Sequence, residues 1–301
     1  MKQIVIIVVA IFCINNAWAQ DDLLNMLEKE NPLKPTPVYA TFKSTRLVNL
    51  QSNETMKAKH LDFRIQHRFS SIQNGAYDMF GLDGAVMRLG FEYGVTDRFM
   101  LGLGRNTTNK TYDGFVKYQL VQQQQNGHPI SVGLFGSTAI STLEWADKNR
   151  DNFFSSRLSY CAQVILTRKV NDYVSVILSP TMVHYNVVAE KATPNDVFAI
   201  GIGGSFKITR STRFNIEYIP RLNGRGQPQT ASGGPTYYDA LAVGFDIETG
   251  GHVFQVHFTN SNGLIEQQFV ARNMNPIAFK ELRFGFNLSR TFSFEKSSGK
   301  W

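Results

Sequence analysis

The chain has 301 residues, 43% hydrophobic and 18% charged, and its net charge of +7 is spread over lysines and arginines interleaved with acids; no nucleic-acid partner is expected without a basic stripe and aromatic platforms. Of the two cysteines only Cys161 lies outside the N-terminal leader, which excludes an intrachain disulfide framework. No later apolar run approaches the eighteen or so residues of a membrane-spanning helix, which excludes a helical inner-membrane protein but not a barrel, whose strands need only about 9 to 11 residues.

Residues 1–19 have the form of a signal peptide. Lys2 supplies the positive start, Ile4 to Ile14 the apolar stretch, and Ala17-Trp18-Ala19 a small-x-small cleavage site, so the mature chain is expected to begin near Gln20. Cys13 follows Phe12 without the small residues that a lipoprotein site needs. Within residues 20–59, Asp21 to Glu28 predicts a short amphipathic helix with acids at its start. Asn31-Pro32-Leu33-Lys34-Pro35-Thr36-Pro37 then enforces an extended linker. Thr41 to Asn49 suits either a strand or a segment lying inside a barrel.

From His60 onward the pattern changes to strict alternation. Leu61, Phe63, Ile65, His67 and Phe69 interleave with Asp62, Arg64, Gln66, Arg68 and Ser70, and Met87 to Val95 and Leu282 to Leu288 repeat the rhythm. Period two separates the two faces of a strand. Twelve strands are predicted near 60–69, 85–95, 98–106, 111–121, 130–140, 153–167, 173–185, 196–208, 212–220, 238–247, 252–260 and 281–292. Apart from Thr107 to Lys110, long connections alternate with tight ones, and Val95-Thr96-Asp97-Arg98-Phe99 and Val170-Asn171-Asp172-Tyr173-Val174 resemble one turn used twice. Gln122 to Gln125 beside Asn126-Gly127 is expected to be a polar periplasmic turn. The fold class expected is all-β: an antiparallel up-and-down transmembrane β-barrel of about twelve strands over residues 60–301, preceded by a short helix and linker. Short periplasmic turns, longer extracellular loops and an even strand count are the habit of outer-membrane barrels.

An arginine facing lipid at mid-membrane costs about 2 to 4 kcal/mol, so the charged faces must line the lumen. The lumen-lining set is then Asp62, Arg64, Arg68, Arg88, Glu92, Lys117, Arg157, Glu217 and Arg283, with basic groups in modest excess. Twelve strands enclose more room than side chains alone readily fill. The set is consistent either with a path for small polar solutes, as charged rings select ions in pores, or with salt bridges that close the lumen. Phe284, Phe286, Leu288, Phe292 and Phe294 make an aromatic terminal strand of the kind that outer-membrane assembly machinery reads, although Glu295 to Trp301 extends past it.

His257 and Thr259, two apart on one strand face, are the one candidate catalytic pair. Their spacing in His257-Phe258-Thr259-Asn260 is similar to a His-x-Ser-Asn element of outer-membrane lipid hydrolases, in which imidazole takes the hydroxyl proton. Phe254, Val256 and Phe258 claim the lipid side, however, and turn both residues inward. No metal site is expected, because the six histidines form no i, i+2 or i, i+4 pair. Gly201-Ile202-Gly203-Gly204 and Gly102-Leu103-Gly104 precede no helix and are expected to be small wall residues rather than phosphate loops. No cofactor is expected.

His67-Arg68-Phe69, Phe80-Gly81-Leu82-Asp83, Gly104-Arg105-Asn106, Tyr112-Asp113-Gly114-Phe115, Arg283-Phe284-Gly285-Phe286-Asn287 and above all the stretch Asp246 to Asn260 carry a further signal. In these segments the chain resembles a Bacteroidetes-type family of outer-membrane β-barrels catalogued as a domain of unknown function. The resemblance spans about residues 45–292 and implies a barrel and a location, with no activity to carry over. Together these readings point to a monomeric barrel of a Gram-negative outer membrane, bedded in its lipid, that passes or binds small polar solutes. A lipid-ester hydrolase using His257 and Thr259, and a structural or interaction barrel plugged by residues 20–59, are the alternatives.

Overall fold

A computed structural model describes residues 34–145, 147–149, 151–188, 193–224 and 235–294. The leader, the helix expected over 21–28, the first part of the linker and the tail after Phe294 lie outside these residues. Twelve strands form one closed antiparallel barrel: β1 His60–Ser71, β2 Ala85–Thr96, β3 Phe99–Asn106, β4 Thr111–Val121, β5 Ser131–Ser141, β6 Leu158–Lys169, β7 Val174–Tyr185, β8 Asp196–Lys207, β9 Thr212–Ile219, β10 Ala240–Thr249, β11 His252–Thr259 and β12 Arg283–Ser293. Each pairs with its sequence neighbours, and β12 returns to β1 with Phe286 opposite His67 and Leu288 opposite Ile65. Closure leaves no unpaired edge.

The alternation in the sequence is the alternation of the wall. On β1, Asp62, Arg64, Gln66 and Arg68 are buried, while the residues between them lie on the outer face. That outer face is apolar, and cross-strand aromatic neighbours such as Phe63 and Phe91, with ring centroids 5.2 Å apart, or Phe258 and Phe284, 5.6 Å apart, cover it. A period-two pattern read on an isolated strand would not say which face turns inward; the closed barrel puts the charges inside.

The two end faces of the barrel differ. One carries the tight connections. At Asp97 the hydroxyl of Thr96 accepts from the amides of Arg98 and Phe99, and Asn171 plays the same part for Tyr173 and Val174, so the two similar sequences do build one turn. Gly250 and Gly251, with φ of 46° and 95°, supply the left-handed pair that a two-residue hairpin turn needs. The chain enters β1 and leaves β12 at this same end. The opposite end carries the long connections, including 142–157 and 260–282.

One boundary differs from expectation. β6 begins at Leu158, not near 153. Instead Ser156 donates its amide to the Phe153 carbonyl and Phe154–Arg157 form a 3-10 turn.

Candidate functional site: a lumen closed from both ends

The inner wall is dense in charge. Arg64, Arg68, Arg88, Lys117 and Arg213 face Asp62, Glu92, Asp113, Glu217 and Asp246, and all ten are buried. Five bases against five acids replace the modest basic excess expected. The count changes because Asp113, Arg213 and Asp246 share the inward parity of Lys117, Glu217 and Gly244, which period two carries.

The space between these walls is occupied by the chain itself. Thr36 and Pro37 first pair with Gln125 and Gln124, the latter in the turn between β4 and β5, at the tight-turn end. The chain then passes into the lumen, and residues 44–53 are each less than a tenth exposed. They form a hairpin: Leu47 N donates to Leu50 O at 2.8 Å, Ser52 N to Thr45 O at 3.0 Å, and Arg46 bridges Gln51. The second arm leaves by the mouth through which the first came in, where Asp97 accepts from Ala58 N and Thr55 Oγ1.

An irregular hairpin carries backbone groups that no ladder satisfies, and buried ones need partners. The wall provides them. Glu217 accepts from three consecutive tip amides, Val48 at 3.2 Å, Asn49 at 2.8 Å and Leu50 at 3.1 Å, an anion seated in a nest of N–H groups. Lys117 donates to the carbonyls of Thr45 at 3.0 Å and Ser52 at 3.3 Å, and Gln255 to that of Leu47 at 2.6 Å. Arg64 reaches Thr45 Oγ1 at 2.8 Å and Asp62 at 3.2 Å, while Arg68 reaches Asn49 Oδ1 at 3.0 Å. Arg88 stays within the wall, gripping Asp113 with two nitrogens at 2.9 and 2.5 Å. At the mouth Lys43 pairs with Glu248.

Apolar contact adds to this. Leu47 and Leu50 of the tip are fully buried against Gly203 and Gly201 of β8. A Cβ at Gly203 would lie 2.6 Å from Leu47 Cδ2, and one at Gly201 would run into Leu50. These glycines, small wall residues in the sequence, are sockets.

From the other end the β11–β12 connection folds inward. It carries helix α1, Glu266–Ala271, with Glu266, Gln267, Phe269, Val270 and Ala271 buried. Glu266 accepts from Arg46 at 2.8 Å and Gln51 at 2.9 Å, so the two insertions meet inside the barrel.

Asp62, Arg64, Arg68, Arg88, Glu92, Lys117 and Glu217 thus surround one hairpin, but two residues of the expected set do not. Arg157 precedes β6, and its guanidinium stacks on Trp145 at 3.8 Å and donates to the carbonyls of Ser141 and Leu143 at the long-loop rim. Arg283 sits at the rim end of β12, half-buried, bonded to Asn275 Oδ1 at 3.0 Å. Each has inward parity, but the strands stop before reaching the centre at those positions. His257 and Thr259 face inward without touching: Thr259 donates its hydroxyl to Leu241 O at 2.7 Å, and neither His257 nitrogen has a partner among the described residues. A hydroxyl already spent on a carbonyl, on the side away from lipid, is not poised as a nucleophile. Among the described residues no three metal-binding side chains cluster.

A closed, charge-lined barrel with an apolar outer belt defines a membrane-spanning β-barrel whose lumen is filled by its own N-terminal hairpin and one loop helix. The chain belongs to the membrane bound beta barrel domain family DUF5777, whose family model matches residues 42–292. No curated protein matches its sequence. Among solved structures it is similar to an outer membrane channel from Pseudomonas putida F1, at 14% identity and a TM-score of 0.49, covering 80% of this chain and 98% of that one. The KdgM porin gives 12% identity and 0.44 over 78% of this chain and 99% of that one. Acinetobacter baumannii Omp33 gives 8% and 0.39 over 80% and 100%.

Proposed function

We propose that this protein is an outer-membrane passage for small polar solutes, held shut by its own N-terminal hairpin. The observation that carries this reading is the seating of the hairpin: both arms run through one mouth, and its tip is held by polar contacts and two leucine sockets. Such a segment can withdraw in one piece without parting a strand pair, and the wall it leaves behind is polar and ready to hydrate. The apolar belt then meets outer-membrane lipid, the tight turns and both barrel termini face the periplasm, and the aromatic β12 presents the signal for barrel assembly. The protein acts as a monomer without a cofactor.

A permanently sealed structural barrel is the second reading, favoured by α1, which closes the lumen a second time. Planar-bilayer conductance decides between them. The chain from Gln20 is expected to show rare openings, and a version lacking residues 20–59 a steady conductance with weak ion preference, as balanced wall charge dictates. If neither conducts, the passage is abandoned and the sealed barrel stands.

A further inference from the structure

At the long-loop end, above α1, lies a cavity of about 630 Å³. That is within the roughly 300–1,000 Å³ typical of small-molecule sites. Two guanidinium groups border it. Arg157 lies over the Trp145 ring and Arg272 over the Tyr185 ring, each 3.8 Å from the centroid. Among the described residues no carboxylate comes within 4.0 Å of either. Among the described residues the one acid in the lining, Glu144, faces Lys148 at 3.1 Å. Two cations fixed on aromatic faces, with no counter-ion among the described residues, make the recess electropositive.

The floor asks for something else. Gln267 is 1% exposed, its Nε2 donates to Ser137 Oγ at 3.0 Å, and its Oε1 has no donor among the described residues. Thr108 Oγ1, also in the lining, is buried and unpartnered too. A buried acceptor without a donor costs about 1–3 kcal/mol, a cost that a ligand supplying hydroxyl hydrogens recovers once a side-chain rotation opens these atoms to the recess. Tyr185 holds the floor by donating to Gln267 O at 2.8 Å.

We infer that this cavity is a receptor site for a small hydroxylated carboxylate of the sugar-acid class, its carboxylate met by Arg272 and Arg157 and its hydroxyls by Gln267 and Thr108. The inference rests on the solute-passage reading for its physiological sense, since it names the class of solute taken up, but not for its chemistry. The site stands on the helix whose Glu266 holds the hairpin tip, so the solute binds one residue away from the lock.

Trp145 provides the readout in a Trp301→Phe background, since the third tryptophan, Trp18, precedes Gln20. In detergent-solubilised full-length protein from Gln20, D-glucuronate is expected to change Trp145 fluorescence saturably. D-glucose, which lacks the carboxylate, and acetate, which lacks the hydroxyls, are each expected to bind at least tenfold more weakly. Arg272→Gln and, separately, Arg157→Gln are expected to weaken glucuronate at least tenfold while the heat-modifiable gel mobility of a folded barrel is kept. Equal binding of glucose or acetate, or an unchanged affinity in a folded Arg272→Gln protein, overturns the assignment, as does no saturable signal with glucuronate. Conductance of the hairpin-deleted barrel is scored separately: glucuronate binding without conductance leaves the site standing and removes the passage, and conductance without binding does the reverse.

Discussion

Arg46, brought in from one end of the barrel, donates to Glu266, brought in from the other, at 2.8 Å in a fully buried setting. The two closures of the lumen are therefore one object. Arg46 has a second, longer carboxylate neighbour in Glu92 at 3.8 Å, so removing Glu266 weakens its pairing without abolishing it. Breaking a buried pair from one side costs roughly 3–5 kcal/mol, and the residual Glu92 contact places Glu266→Gln toward the lower figure. The expected outcome is more frequent channel opening, tenfold or more, since each 1.4 kcal/mol is a factor of ten. An unchanged opening frequency in single-channel recordings counts against the interlock.

Glu217 concentrates three amides on one carboxylate. A glutamine there keeps the volume but loses the charge, and hydrogen bonds to charged groups contribute about 1.5–3 kcal/mol. Glu217→Gln is expected to leave the strand pairing of β9 intact and to make the hairpin accessible to protease from the tight-turn side. Limited proteolysis followed by mass spectrometry locates the cuts. A hairpin as resistant as that of the unaltered protein would mean the nest is dispensable.

The leucine sockets make a complementary test, because they lie on the wall rather than the hairpin. Gly201→Leu puts a side chain where Leu50 sits, since the three atoms nearest a Cβ there all belong to Leu50, and overpacking of this kind costs about 1–3 kcal/mol. The strain has an outlet, since the hairpin can leave while the barrel cannot. Conductance is expected to rise toward that of the hairpin-deleted barrel, with unfolding in urea changed little. A large fall in the urea midpoint with no gain in conductance would show that the wall yields instead.

Arg88 and Asp113 test the wall itself. They bond bidentately across β2 and β4, and the Arg88 guanidinium fills the space left by Gly90 and Gly104. Asp113→Ala strands a buried cation and is expected to cost roughly 3–5 kcal/mol, whereas the double change Arg88→Met with Asp113→Leu recovers most of it. Urea denaturation followed by gel mobility measures both. Equal losses for the single and double variants would show that the pair is not a closed unit.

How much of this was legible in the sequence follows from which interactions are periodic. The twelve strands were, because each inward polar residue stands two positions from the next, and the same parity reaches Asp113, Arg213 and Asp246. Arg157 and Arg283 share that parity, but Arg157 precedes β6 and Arg283 is the first residue of β12, at the rim, where parity no longer brings a side chain to the centre. Arg46 and Glu266 carried no signal. Neither lies on a repeating element, and they are 220 positions apart in the chain.

The sequence by itself determined the barrel: alternation, tight turns at Thr96 and Asn171, and the cost of placing arginine in lipid leave one way to arrange the twelve strands. Whether the lumen is a path or a filled core was decided only by tertiary structure. Thr41 to Asn49 has no pattern of its own, and its conformation comes from what surrounds it: the carboxylate of Glu217, the ammonium of Lys117, and two glycines whose missing side chains make room for Leu47 and Leu50.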